Sequence, residues 1–521
     1  MILTRIASIG AGVFLLFALL GCSASKSVIT PASQYKTIKI IHWNDFHAQN
    51  TTRTLRKEGK PYRVGGSAIL KGYIDSLRNL APDCSLVLFA GDDFQGTPVS
   101  SFTKGRSQVI LMNEIKPDAV VPGNHEFDYG KENFISLLGE AQYDIICANL
   151  VVSKTGEPLF PPYKVIQRDG VKLVVIGLIT TDLSIVSIPE NIEGLEAKDY
   201  SIVLSKYLPE IKAKEKPDAI IVLSHIGLLN KLDYVDDLTL SRIYPEILAF
   251  IGGHSHTPIF EPIRKGGGVI AQAGSRGQYV GELDLVIDPI GDSLVSFSGK
   301  LIETYADSIT PNARMQALVD SLEAPMKKMM DESIGMLKAD WKSKFGESTN
   351  IGTWQTDVMR EELKVDVAIQ NSGGIRKSLS AGVIRIRDIW EISPFGNAFV
   401  VFGITGKELR QMIEWQIDGR GEFCDMSGVV CKYNGNLPYG RRIKEITVGG
   451  KPLDEEKVYV VATNNYAAAQ LSAFFGLQRE VKVNGTPFVD HDFFVDAVKK
   501  RKEISGEKRE WLINIAKTKA E

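Results

Sequence analysis

Five segments share one pattern, a short apolar run that breaks into a polar cluster. They are IKIIHWNDFH (38–47), SLVLFAGDD (85–93), AVVPGNHEFD (119–128), AIIVLSHIG (219–227) and ILAFIGGHSH (247–256). Continuous apolar runs of this length read as strands buried on both faces. Between them stand segments with helical spacing, such as GGSAILKGYIDSLRNL (65–80) and KENFISLLGEAQ (131–142). That alternation predicts an α/β fold. ELDLVID, a turn at 288–292 and SLVSFSGKLIET then predict an edge hairpin.

From 313 to 333, ARMQALVDSLEAPMKKMMDES spaces Met, Leu and Val as a helix does, and Pro325 is expected to kink or split it. We read 306–333 as a linker helix. Beyond it lies a second unit, 334–521, with strands at VDVAIQNSGGIR, AFVVFGITG, IKEITVGGKPL and VYVVATNN. Its last stretch, KKRKEISGEKREWLINIAKTKAE, reads as a solvated amphipathic helix. A chain of 521 residues calls for more than one domain, and 44% hydrophobic with 24% charged residues is ordinary for a globular protein. A net charge of −2 without a long basic stretch argues against binding nucleic acid by electrostatics.

The N-terminus stands apart. Arg5 precedes an apolar stretch, Ile6 to Leu20, that is short for a membrane span and suits a secretory signal over 1–21. Its ending, Leu19-Leu20-Gly21-Cys22, resembles a bacterial lipobox. That resemblance implies lipidation of Cys22, a tether over 22–35, and an exported lipoprotein facing the periplasm or cell surface. Cys424 and Cys431 flank a turn-like DMSGVV and could pair in an exported protein. Cys84 and Cys147 read as buried thiols.

Strand ends in α/β folds form a common rim where ligands bind. Residues from Asp45 to His256 can therefore converge on one point. Asp, Asn and His are hard-to-borderline metal ligands. Asp45 and His47 are two apart, and strand alternation would turn both to one side. Asp92 follows Gly91 at a sharp turn, where its carboxylate can bridge two ions. Asn124 offers an amide oxygen, and His225, His254 and His256 offer imidazoles. His42, in the first run, reads as a buried scaffold residue, and His491 as a surface one. A single strand-end Asp is usually a helix cap. Seven ligand-type residues at five strand ends make that reading improbable for the set.

D-x-H, GD, GNHE-F-D, SH and GHSH, in this order, resemble the calcineurin-like metallophosphoesterases. N-D-F-H, G-D-D-F-Q-G-T and G-N-H-E-F-D-Y-G look like the 5′-nucleotidases, a family that includes periplasmic 5′-nucleotidase/UDP-sugar hydrolases. The resemblance implies a four-layer α/β/β/α metallophosphoesterase domain over 36–305, joined by the linker helix to a smaller α+β substrate-binding domain. It implies two divalent ions (Zn, Mn, Fe or Co), one held by Asp45, His47, Asp92 and His256, the other by Asp92, Asn124, His225 and His254. It assigns His125 and Asp128 as a catalytic dyad.

In the second unit, Asn371 to Arg376 resembles the family's N-x-G-G-I-R loop. Phe395-Gly396-Asn397 resembles its base-binding loop, and Tyr466 stands at its second aromatic. The family's G-G-D-G is missing, with Ser472 near the place of its Asp. An Arg expected before NIGTWQTD (350–357) is also missing, with Lys342 and Lys344 the nearest cations. The resemblance implies release of phosphate from nucleoside 5′-monophosphates, and a monomer is expected. The alternatives are a phosphodiesterase or pyrophosphohydrolase for cyclic nucleotides or UDP-sugars, and a non-catalytic nucleotide-binding lipoprotein.

Overall fold

The computed structural model describes residues 35–58, 60–228, 234–478 and 481–516. The expected signal segment, Cys22 and the tether up to residue 34 lie outside the described residues. Among those described, no helix is long and apolar enough to cross a membrane.

The apolar runs form two five-stranded sheets. In the first, Lys36–Trp43 runs parallel to Ser85–Phe89, which pairs in parallel with Ala119–Val120. On the other side of Lys36–Trp43 lies the hairpin of Tyr279–Asp288 and Ser293–Glu303, at the sheet edge as expected. The second sheet sets Val171–Ile179, Ala219–His225, Ala249–Gly252 and Val269–Gln272 in parallel, with Tyr163–Arg168 antiparallel at its edge. Parallel register brings the C-terminal strand ends of each sheet together.

The two sheets face each other across one apolar core. Ile38, Ile40, Leu86 and Leu88 meet Leu173, Val175, Ile221 and Leu223 there. Alternation turns Ile41, Trp43 and Val87 outward, onto the helices Ser67–Leu80 and Ala313–Met330 through Leu70, Ile74, Met315 and Val319. The second sheet's outer face, with Val174, Val222 and Phe250, packs on Tyr200–Lys214 and Asp237–Ile243 through Val203, Leu204 and Leu240. This is the four-layer α/β/β/α arrangement. His42 is buried with its ring against Gly281, where an added Cβ would fall 2.0 Å from Nε2. Burial pushes its pKa down to about 4, so it is a neutral scaffold residue.

The helix Ala313–Met330 runs through Pro325 without splitting. The proline removes the donor for the Ser321 carbonyl, and Ser321 is exposed, so water can replace it. The C-terminal half is α+β. Its central sheet orders Cys424–Ser427, Val367–Asn371, Val458–Asn464, Ala398–Thr405 and Asn484–Val489, with separate cores on its two faces.

Two further expectations fail here. The final segment is not a solvated helix. The helix Asp490–Arg501 ends at its third residue, Glu503–Ile504 pairs with Ser333–Leu337, and Leu512–Asn514 pairs with Val429–Tyr433. Ile504 and Trp511 enter two different cores, and Gly506 at φ 77° turns the chain between them. His491 is buried rather than exposed, stacked on Trp390 with ring centroids 3.6 Å apart. Cys84, Cys147, Cys424 and Cys431 are free thiols.

Candidate metal centre

The five polar clusters meet at the rim, but not through strand alternation. The first strand ends at Trp43, and the chain then turns through left-handed conformations at Asp45 (φ 48°), His47 (φ 51°) and Ala48 (φ 48°). Asp92 (φ 64°), His254 (φ 78°) and His256 (φ 54°) are left-handed too. For residues with a Cβ this costs on the order of 1–3 kcal/mol each and persists where surrounding contacts fix it. Those contacts are present. Asp45 N–H donates to Gly91 O at 2.8 Å, and His47 N–H to Asp92 O at 3.0 Å. His254 N–H reaches the Asp45 carboxylate at 3.0 Å, and His125 N–H reaches Asp92 Oδ1 at 2.9 Å. Gly123 is required beside Asp92, since an added Cβ would lie 2.1 Å from its Oδ1.

Ligand atoms of Asp45, His47, Asp92 and His256 all lie within 4.8 Å of one another, and so do those of Asp92, His225 and His254. Asp92 belongs to both groups. Asn124 joins the second, its Oδ1 lying 3.1 Å from His254 Nδ1. His47 Nε2 and His256 Nε2 face each other at 3.0 Å, and His225 Nε2 lies 3.1 Å from Asp92 Oδ2. Two of the rings are oriented from behind. Nδ1 of His225 faces Ala90 O at 2.6 Å and Nδ1 of His47 faces Gln95 O at 3.2 Å, which leaves the Nε2 lone pairs for the centre. His225 Nε2 is buried, with the Asp92 carboxylate as its facing group. Buried lone pairs and carboxylates aimed at shared points fit divalent cations.

Charge and burial compete within the cluster. Burial opposes the imidazolium of His225, but the Asp92 carboxylate overrides it and pushes the pKa up to about 10. Burial and the neighbouring His225 push His254 down to about 3. Burial, with Arg376 and His256, holds His47 well below its usual range. A neutral imidazole is the ligand form.

His125 stands beside the cluster. Its Nδ1 lies 2.8 Å from Asp128 Oδ2, its ring is 5.3 Å from that of His47, and its Nε2 faces Arg376 Nη2 at 3.4 Å. Burial opposes its charge, yet the Asp128 and Asp92 carboxylates raise its pKa. This ring can donate a proton or a hydrogen bond to an anion at the centre. Asn191 Nδ2 holds the Asp128 carbonyl at 2.8 Å.

Arg376 reaches the centre from the other half of the chain. Its Nη2 lies 3.2 Å from His47 Nε2, and its guanidinium carbon is 5.6 Å from the Phe395 ring centroid. Phe395 itself sits 5.6 Å from the His125 ring. Asn371 is buried, and its amide is engaged by Glu422 at 3.0 Å and Asn464 at 2.9 Å. Asn397 is buried, and its carbonyl accepts from Asp490 N–H at 2.9 Å. Tyr466 packs edge-on against Phe474 and donates its hydroxyl to Ile185 O at 3.0 Å, across the two halves. Of the cations near the expected arginine, Lys344 pairs with Glu347 on the surface. Ser472 is exposed and accepts from Gln478.

Sequence reasoning missed two carboxylates. Glu126, inside GNHEFD, is buried and accepts backbone N–H groups from Asp92, Asp93 and Gly123, tying two ligand-bearing turns together. Its place three residues after Gly123 was the available signal. Glu422 holds the Asn371 side chain and the Gly373 N–H, and so braces the loop that carries Arg376. Nothing in its spacing marks it.

Residues 38–258 match the calcineurin-like phosphoesterase family model, and residues 331–477 match that of the 5′-nucleotidase C-terminal domain. The chain is 27% identical over 527 residues to a protein named 5′-nucleotidase from Vibrio cholerae, covering 92% of this chain and 93% of that protein. It is 29% identical over 409 residues to one named Endonuclease YhcR from Bacillus subtilis. That match covers 75% of this chain and a third (33%) of the relative's length. A crystal structure of a 5′-nucleotidase precursor from Thermus thermophilus is similar with a TM-score of 0.82 at 27% identity, covering 92% of this chain and 99% of that one.

Proposed function

We propose, for a chain that joins a calcineurin-like phosphoesterase domain to a 5′-nucleotidase C-terminal domain, that it is a metal-dependent hydrolase of phosphate monoesters, releasing phosphate from nucleoside 5′-monophosphates. The observation that carries this reading is the meeting of two ligand groups that share Asp92 with Arg376 and Phe395 from the other half. A nucleotide needs both, metals for its phosphate and an aromatic for its base.

In this reading two divalent ions bind, one on Asp45, His47, Asp92 and His256, the other on Asp92, Asn124, His225 and His254. Asp/Asn/His donors suit Zn, Mn, Fe or Co. Bound ions supply an acidified water as nucleophile and neutralise phosphate oxygens. Arg376 holds the phosphate from the opposite side. His125, its charged form favoured and its ring oriented by Asp128, stabilises charge that develops on the phosphoryl oxygens. Phe395 and Tyr466 flank the base, while Asn371 and Asn397 shape the pocket. The boundaries at 36–305, 306–333 and 334–521 belong to this reading. So do export through residues 1–21, anchoring by a lipid on Cys22 and action as a monomer.

The test is a phosphate-release screen over nucleoside monophosphates, cyclic nucleotides and UDP-sugars, with chelator controls. Monophosphates should be cleaved fastest, and His125→Ala should lose most of that activity while retaining metal. Phosphate release that persists in excess chelator would sink the metal mechanism. The relative named an endonuclease keeps diester cleavage as a second reading. Faster release from cyclic nucleotides than from monophosphates would favour it.

A further inference from the structure

Arg276 sits in the turn between the strands Val269–Gln272 and Tyr279–Asp288. It is 9% exposed and left-handed at φ 56°, followed by Gly277 at φ 61°. Its N–H donates to Asp45 O at 2.7 Å, so its backbone is joined to the turn that carries Asp45 and His47. Its Nη2 donates to the main-chain carbonyl of Arg376, also at 2.7 Å. The Arg376 N–H is held by Ile392 O at 2.8 Å, and its guanidinium reaches His47 and His125. One closed path thus runs from the metal-bearing turn through Arg276 to Arg376 and back to His47.

The arrangement is costly. Glycine would adopt φ 56° without strain, whereas an L side chain does not. Burial, with Arg376 and Arg53 nearby, lowers the Arg276 guanidinium to about 9, with Glu391 the facing carboxylate. It remains a cation at neutral pH. A long cation in a strained, buried place is retained where its side chain has work to do.

We propose that Arg276 is a positioning residue: by donating to the Arg376 carbonyl it sets the Arg376 guanidinium over the metal centre and couples the approach of the C-terminal half to phosphate capture. The inference rests on Arg376 being a phosphate ligand.

Five proteins test it: wild type, Arg276→Gly, Arg276→Lys, Arg376→Ala and the Arg276→Gly/Arg376→Ala double variant. Each is measured for phosphate release from a nucleoside 5′-monophosphate, for binding of inorganic phosphate by calorimetry in the presence of Mn²⁺, and for thermal unfolding. Glycine removes the side chain and the backbone strain together, so Arg276→Gly is expected to unfold no earlier than wild type. It should nonetheless lose about tenfold to a hundredfold in kcat/KM, the scale of one hydrogen bond from a charged donor. Arg276→Lys, which keeps a donor and the charge, should recover part of the loss.

If Arg276 acts through Arg376, the double variant matches Arg376→Ala within about twofold in both readouts. Losses that multiply overturn the proposal, as does an Arg276→Gly protein with wild-type kinetics and phosphate affinity. Early unfolding of Arg276→Gly with an unchanged double-variant ratio assigns the residue to the fold instead. If wild type binds phosphate with this non-additivity but cleaves no nucleotide, the hydrolase reading has failed and the positioning role stands. If wild type binds no phosphate, both fail.

Discussion

Replacing Glu126 by Gln tests whether one buried carboxylate holds the metal-bearing turns together. Its Oε2 accepts from Asp92 N–H at 3.0 Å and Gly123 N–H at 2.5 Å, and its Oε1 from Asp93 N–H at 2.6 Å and Phe94 N–H at 3.4 Å. All four partners are donors, so an acceptor-only group is required. A glutamine turns an NH₂ toward one pair of N–H groups whichever way it is placed. Its cheaper orientation sacrifices Asp93 and Phe94, one good bond and one long one. A buried donor left unsatisfied costs about 1–3 kcal/mol. Relief of the repulsion between Glu126 and Asp92, which helps to raise the Glu126 pKa, offsets a part. The balance is a loss of roughly 2–4 kcal/mol, a large share of the ~5–15 kcal/mol that stabilises a typical domain.

The assay is calorimetric unfolding with and without Mn²⁺, alongside phosphate release. The metallophosphoesterase transition should fall at roughly 2–4 °C per kcal/mol. Metal affinity should weaken as well, because Asp92 and Asn124 ride on the loosened turns. Glu126→Asp, charged but shorter, should fall between the two proteins. A Gln variant with wild-type unfolding, metal affinity and turnover would refute the bracing role.

Asp128→Asn should lower kcat and move the alkaline limb of the rate profile down. Asp128 raises the His125 pKa, so without it the imidazolium is lost at lower pH; a limb that stays in place contradicts this. Asp490 is buried, with a pKa pushed up to about 8 against 3.8 when unfolded. The stability of its neutral form is fully present below pH 3.8 and is lost as pH rises through 8. At about 1.4 kcal/mol per pH unit the loss has a ceiling of about 6 kcal/mol. Asp490→Asn should remove that slope, and parallel stability profiles for the two proteins would disprove it. Phe102 stacks on Trp390 across the two halves at 5.0 Å. Phe102→Ala should therefore lower kcat/KM by about two- to tenfold, the scale of one aromatic pair, without changing metal affinity by calorimetry.

The ligand set was legible because two separate constraints agree. Metal chemistry admits few residue types, and parallel strands deliver their ends to one rim. What periodicity misreads is the conformation that aims the ligands. Asp45 and His47 look like an alternating pair, but the strand ends before them, and left-handed turns fixed by bonds to Gly91 and Asp92 turn them inward. Those bonds link residues dozens apart, so no local pattern announces them.

The same holds for the residues that sequence reasoning passed over or misplaced. Glu126 serves backbone N–H groups, Arg276 a carbonyl, and Glu422 the Gly373 N–H beside the Asn371 amide; backbone partners have no side-chain identity to recognise. His491 reads as a surface residue and the segment that holds Trp511 as a solvated amphipathic helix, whereas both residues are buried by strands or rings distant in sequence. Chemistry that a site must display is written in residue types. The groups that hold the site in shape answer to the backbone, and they become visible only when the fold brings that backbone to them.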